Sequence, residues 1–310
     1  MTEARWQSRT KLETCKPEKF VAKPAAKVGL TPFRTQQLAQ VLTMKFDFRD
    51  AALKVDEDVF PARFESFRQA RTARQRLETA LEQAGESGQR LARRLANCGL
   101  RPCRSAACPT CRRHFRLWWG SEISKYVAID PDYWFTVSIV PQDLFFAIGE
   151  LNRFKWDHIK DRLRKQIARS FAGDVIAVGA FDYALQMFDD GRHPKWRPHI
   201  YLLFQGGAKS QIERSLGRFY PKDDDTPKPI VVTPQRASDE DRIKTATYSF
   251  KSDFYRRLPT IDHRGNADTE KRPLEPAHEA ELALVLHRQG YLGRIIRYGR
   301  GDAFPLLTTR

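Results

Sequence analysis

Apolar residues recur at steps of three and four between positions 62 and 84, where Phe64, Phe67, Ala70, Ala73, Leu77 and Leu81 make one stripe. That period predicts an amphipathic helix. Gly85 and Gly88 break the stripe, and Leu91 and Leu95 resume it up to Cys98. A weaker pattern predicts a short helix at 33–54, and residues 1–30 are polar and aperiodic, a loose basic arm. After the cysteines the period shortens. WFTVSIV at 134–140 predicts a strand that ends at Pro141, and 143–171 predicts a helix with Trp156, Ile159, Leu163 and Ile167 on one side. VIAVGAFDYALQMF at 175–188 and RPHIYLLF at 197–204 predict the two strands of a hairpin, turned at Asp190–Gly191. A helix at 208–219, a strand at 229–234 and a third helix at 238–257 follow. Residues 258–310 predict one helix near 276–289 and otherwise loops rich in Arg and Gly.

The order strand, helix, hairpin, helix, strand, helix predicts an α+β fold. Its centre is a split βαβ (ferredoxin- or RRM-like) antiparallel sheet with two helices on one face. The chain then divides into an arm (1–30), a helical region (31–97), a cysteine knuckle (98–120), a core (130–257) and a C-terminal helix with loops (258–310).

Charge narrows the function. Lys and Arg outnumber Asp and Glu by 54 to 38 in 310 residues, a net charge of +16. An excess of this size favours a polyanionic partner, most often nucleic acid. No apolar run is long enough to span a membrane and the N-terminus carries no signal-peptide core. The expected location is the bacterial cytoplasm, near the nucleoid, with no membrane partner. Disulfides are uncommon there, so the cysteines call for another explanation.

Cys98, Cys103, Cys108 and Cys111 are spaced C-x4-C-x4-C-x2-C. Zinc takes four tetrahedral ligands and favours thiolates. A segment this short has no core of its own, so a structural zinc would explain it. Free buried thiols, a redox pair at Cys108 and Cys111, or His114 in place of Cys98 are the alternatives. Arg101, Arg104, Arg112, Arg113 and Arg116 surround the cysteines, with Trp118 and Trp119 behind. Such a knuckle is expected to contact a DNA backbone.

Side chains alternate across a strand. With the bulky apolar faces under helices, Asp182, His199 and Tyr201 share the opposite face of the hairpin. A carboxylate and an imidazole on neighbouring strands can bind a divalent cation, or simply bond to each other. On the predicted helix 238–257, Ile243, Thr247, Phe250 and Phe254 make a packing stripe. Tyr248, Lys251, Ser252 and Tyr255 lie beside it. A tyrosine oxygen is a nucleophile of covalent catalysis once a cation offsets its pKa near 10.

These pieces resemble the HUH endonuclease superfamily, in particular the rolling-circle replication initiators, over roughly residues 98–257. WFTVSIVP is similar to that family's first-strand motif and GAFDYALQMF to the strand bearing an acidic metal ligand. WRPHIYLLF is similar to the histidine strand, and YSFK to the Y-x-x-K nucleophile helix. The resemblance implies nicking and joining of single-stranded or hairpin DNA at an origin. Tyr248 would be the nucleophile and Lys251 its helper, with Mg²⁺ or Mn²⁺ on Asp182, His199 and the residue at 201. That residue is Tyr201, where the family carries its second histidine. Gln186 or His193 would have to assist, and Ser252 stands where a second tyrosine often lies. No NTP-binding loop is evident, so a host helicase and polymerase would be separate partners. Two other readings stay open. One is a Rep-like DNA-binding protein without cleavage, acting as an origin-binding or regulatory factor. The other is an RNA-binding sheet that stacks bases on its aromatics.

Overall fold

The computed structural model describes residues 64–299, apart from 100, 128–133, 172–174, 189, 235–244, 246, 252, 262, 264 and 266. The expected arm, the helix at 33–54 and most of the 238–247 segment lie outside the described residues. Helix α1 (Phe67–Glu82) starts where the sequence provides a capping box. The Ser66 hydroxyl accepts from the Gln69 N–H at 3.2 Å, and the Gln69 side chain accepts from the Ser66 N–H at 2.7 Å. Gly85, at φ +71°, turns the chain into α2 (Gly85–Ala96). Gly88 does not break that helix: a side chain there would meet the Leu81 carbonyl, so this glycine lets α1 and α2 approach closely. Pro109, at the first position of α3 (Pro109–Val127), opens that helix directly out of the cysteine segment.

The mixed α+β body follows. Strands β1 (Trp134–Ile139), β3 (Ile176–Gln186), β4 (Lys195–Gln205) and β5 (Ile230–Pro234) stand in the order β5-β1-β4-β3, with all three pairings antiparallel. A short β2 (Phe146–Ala147) and a 3-10 turn at Leu151–Arg153 occupy the start of the predicted 143–171 helix, which is confined to α4 (Trp156–Ser170). Leu163 and Ile167 of α4 are buried beneath the sheet. Phe154 meets Phe181 edge-on at 5.1 Å, and Phe171 meets Phe204 at the same separation. Helix α5 (Lys209–Gly217) lies beside α4, tied to it when Tyr220 donates to Gln166 at 2.6 Å.

The part of the chain after β5 differs most from the sequence reading. The segment 238–257 is not one helix. Tyr248–Phe250 is a 3-10 turn, Lys251 leaves it in an extended conformation, and Tyr255 begins strand β6 (Tyr255–Ile261). The expected C-terminal loops include β7 (Ala267–Pro273) and β8 (Ile295–Tyr298) around α6 (Pro276–Arg294), whose helical path breaks at Gly290 (φ +64°). Arg-rich strands with an internal proline have no clean alternation of apolar and polar positions, so periodicity missed them.

These late strands define the outer edge of β3. β8 pairs with it along Ala177–Ala180, and β6 pairs in parallel at Leu185 and Gln186. Between them, at 181–184, the edge has no strand partner among the described residues. One apolar core runs from Leu77 of α1 through the cysteines and the sheet to Ile296, so the segments read from the sequence pack as one body among the described residues.

Candidate functional site

The gap in the edge of β3 is filled from the C-terminal end of α6. Arg294 is fully buried and donates to the Phe181 carbonyl at 3.1 Å and to the Ser249 carbonyl, while its guanidinium lies 5.0 Å over the Phe250 ring. A carbonyl that a neighbouring strand would have satisfied is thus bonded by a side chain. The same side chain pins the 248–250 turn against the strand that carries Asp182. Burial pushes the Arg294 guanidinium down to about 10, a value at which it still carries its charge. Nothing in the sequence pattern marked this arginine.

The turn brings the predicted residues together. Asp182 and His199 are direct cross-strand partners, and Tyr201 lies opposite Ala180, two residues along on the same face. Lys251 Nζ stands 2.6 Å from Asp182 Oδ2 and 4.7 Å from the centre of the Tyr248 ring. The Tyr248 and Tyr201 rings lie 4.8 Å apart, tilted by 34°. Asp182 and His199 are 1% and 8% exposed, while Tyr201, Tyr248 and Lys251 are partly accessible. Tyr255 begins strand β6 and makes no hydrogen bond to Asp182, His199 or Lys251 among the described residues. Its hydroxyl donates to Asp253 at 3.4 Å.

The charges in the group are strongly coupled. Burial alone would raise the Asp182 carboxyl. Lys251, through its charge and its hydrogen bond, and Arg294 outweigh burial and hold it below the usual carboxylate range, so Asp182 is an anion. Burial, then Arg257 and Arg197, hold His199 down to about 3, so it is a neutral imidazole at pH 7. Burial and the neighbouring Tyr248 push Tyr201 up to about 12, against hydrogen bonds with Thr136 and Thr245. Tyr201 is therefore a neutral phenol. Gln186 lies four residues from Asp182, roughly 13 Å along the strand, and donates to the Met187 carbonyl at 3.0 Å. His193 is exposed in the hairpin turn. Neither reaches the group, and Ser252 lies outside the described residues.

The cysteine segment forms a second group. Cys98, Cys103, Cys108 and Cys111 place their sulfurs within 4.8 Å of one another. Cys98–Cys111, Cys103–Cys111 and Cys98–Cys108 are separated by 3.5, 3.6 and 3.7 Å. A tetrahedron with zinc–sulfur bonds of about 2.3 Å has edges of about 3.8 Å, so the donor set fits. Cys98 and Cys103 are pulled down by hydrogen bonds from the neighbouring thiols, while Cys108 and Cys111 are pushed up by the same contacts. Such a cluster deprotonates fully only around a cation. These four cysteines can hold a metal ion such as zinc, and His114, stacked 6.4 Å from Phe67, is not one of the set. Arg104 adopts φ +58° between two of the cysteine-bearing turns, a conformation that costs about 1 kcal/mol in an L-residue.

The basic run beside the cysteines is mostly internal, which corrects its reading as a solvent-facing DNA contact. Arg112, Arg113 and Arg116 are 3%, 6% and 9% exposed. Arg112 lies 5.0 Å over the Phe254 ring, Arg113 donates to the Glu65 carbonyl, and Arg116 pairs with the Glu65 carboxylate at 2.6 Å. On a helix that enters the core, three of these positions point inward. Arg101 and Arg104 precede the helix and are exposed.

No family model, curated protein or solved structure matches the chain. The geometry of these two groups therefore carries the functional argument. Among the described residues no helix is long and apolar enough to cross a membrane.

Proposed function

We propose that the chain nicks and rejoins single-stranded or hairpin DNA through Tyr248, in the manner of the replication initiators its motifs resemble. The observation that carries this reading is the convergence of Tyr248, Lys251, Asp182 and His199 on one face of the β3–β4 hairpin, from strands and a turn far apart in the chain. The order β5-β1-β4-β3, with α4 against one face, supports a split βαβ core for such an enzyme.

The Tyr248 oxygen attacks a backbone phosphorus, forming a tyrosine–phosphate bond to the 5′ side. The bond to the 3′ oxygen breaks, and that oxygen leaves as a hydroxyl after taking a proton. The tyrosine proton passes to solvent. Reversal reseals the strand without another energy source. Lys251 places a positive charge beside both the Tyr248 ring and Asp182. Arg294 orients the turn. Asp182 Oδ1 is buried with no hydrogen-bond partner among the described residues, and His199 is neutral, so both are available to a divalent ion. Mg²⁺ or Mn²⁺ held there would withdraw charge from the phosphate oxygens. The cysteine group is proposed as a structural zinc site that fixes the start of α3 against the sheet.

One observation favours a second reading, a DNA-binding protein of the same architecture that does not cut. Tyr201 is a neutral phenol where the resemblance calls for an imidazole, and Lys251 already occupies one oxygen of Asp182. A single experiment separates the two. The purified chain is incubated with single-stranded and hairpin oligonucleotides and Mn²⁺, and covalent adducts are read by denaturing electrophoresis. The nicking reading expects an adduct that Tyr248→Phe removes. DNA binding without an adduct, in wild type and in Tyr201→His, establishes the second reading instead.

A further inference from the structure

β6 and β7 leave the sheet as a ribbon. β6 touches β3 only at Leu185 and Gln186, with the Met187 N–H donating to the Arg257 carbonyl at 2.9 Å, and is otherwise paired with β7. Two adjacent cross-strand pairs of this ribbon carry like charge, Arg256↔Arg272 and Arg257↔Lys271. Like charges placed directly opposite destabilise a strand pair, so each pair needs an explanation. The first is neutralised within the fold: Arg256 pairs with Glu275, and Arg272 with Glu270 at 2.9 Å. The second has no carboxylate partner among the described residues.

Alternation puts the two pairs on opposite faces. Arg257 is in register with Gln186, and Gln186 with Lys195. The uncompensated pair therefore lies on the face that bears Asp182 and His199. Lys195, Arg257 and Lys271 thus form a row of cations across β4, β3, β6 and β7, with Lys271 exposed and the other two partly so. At about 4.8 Å per strand the row spans about 14 Å. That length suits consecutive phosphates of one chain and exceeds what a single small anion needs.

We infer that Lys195, Arg257 and Lys271 are a phosphate track that holds the backbone of a DNA strand leading to Tyr248. The inference rests on the proposed function for the identity of the strand. The unfavourable Arg257↔Lys271 pair persists in this account because a polyanion, and not a protein carboxylate, neutralises it.

The test measures binding alone. A fluorescein-labelled, mixed-sequence single-stranded oligonucleotide is titrated with the full chain, without divalent ion, from about 50 to 200 mM salt. Wild type should bind with a steep salt dependence. Arg257→Gln and Lys271→Glu should each weaken binding about tenfold or more. Each should also reduce the magnitude of the log–log salt slope by about 0.7, the value for one phosphate of a single strand. Arg272→Gln, on the opposite face, should match wild type. Lys271→Glu replaces a repulsive pair with an attractive one, so its thermal midpoint should equal or exceed that of wild type. A purely structural role predicts the reverse: a lower midpoint with unchanged binding, which would overturn the track. Absence of salt-dependent binding by wild type also overturns it. So does polyglutamate binding with the same sensitivity to these variants, which would identify an acidic polypeptide. An oligonucleotide bound through the track by a chain that forms no adduct defeats the nicking reading and leaves the track standing.

Discussion

Replacing Lys251 by Met removes the cation that neutralises Asp182 while keeping most of the apolar stem. The ion pair is 2.6 Å long, with side-chain exposures of 17% for Lys251 and 2% for Asp182. Breaking a buried pair by deleting one partner costs about 3–5 kcal/mol, because the other charge stays buried. The partial exposure of Lys251 puts the expectation at about 3 kcal/mol at pH 7. In a body of this size each kcal/mol shifts the thermal midpoint by about 2–4 °C, so the variant should melt about 6–12 °C lower. The sign of the pH dependence follows from the carboxyl. In wild type Asp182 is held below its ordinary value, so its contribution is complete above about pH 4 and is lost only as pH falls through the depressed folded value. In Lys251→Met burial pushes the carboxyl up, the folded state takes up a proton more readily than the unfolded state, and the deficit against wild type shrinks as pH falls from 7 to 5. Lys251 also helps to depress His199, so its removal acts in the same direction. Asp182→Asn in the Lys251→Met background should recover stability, since no charge is then stranded. Mn²⁺ should also stabilise Lys251→Met more than wild type if Asp182 and His199 bind a divalent ion. Urea unfolding at pH 5, 6 and 7 measures all of this. A loss below about 1 kcal/mol that does not change with pH would refute the buried-pair reasoning.

Three further outcomes are expected. Metal analysis of purified chain should find about one zinc per molecule, and chelation or Cys108→Ser should lower the thermal midpoint sharply, because Cys108 is buried at the junction of the knuckle and α3. Arg116→Ala should destabilise by about 2–4 kcal/mol through the stranded Glu65 carboxylate, while the salt slope of DNA binding by the folded variant stays at the wild-type value. Tyr201→His should tighten Mn²⁺ binding, read by calorimetry, because a neutral imidazole replaces a neutral phenol beside Asp182; unchanged affinity would place the ion elsewhere.

Local pattern alone was enough for several parts of this protein. The α1 stripe, the β3–β4 hairpin and its two faces, and the four-cysteine spacing all depend on interactions within short stretches of chain. The pairing of Asp182 with His199 follows from the alternation of two strands joined by a recognisable turn, and the structure has it in register. Other features depend on distant partners. Tyr248–Phe250 continues an apolar stripe that reads as helix, yet Arg294 and the open edge of β3 hold it as a single turn, after which the chain pairs as β6. The Arg run after Cys111 reads as surface because arginine is usually exposed. Its burial depends on Glu65 and Phe254, which lie in sequence tens of residues before it and more than a hundred after it. Lys251 meets Asp182, and Arg257 reaches the face of His199, only because β3 has two different neighbours along one edge. Periodicity reports which side of an element is apolar, and spacing reports which residues share a turn. Which charge neutralises which across the core is decided by long-range packing, where the free energy of a buried ion depends on every partner that replaces its water.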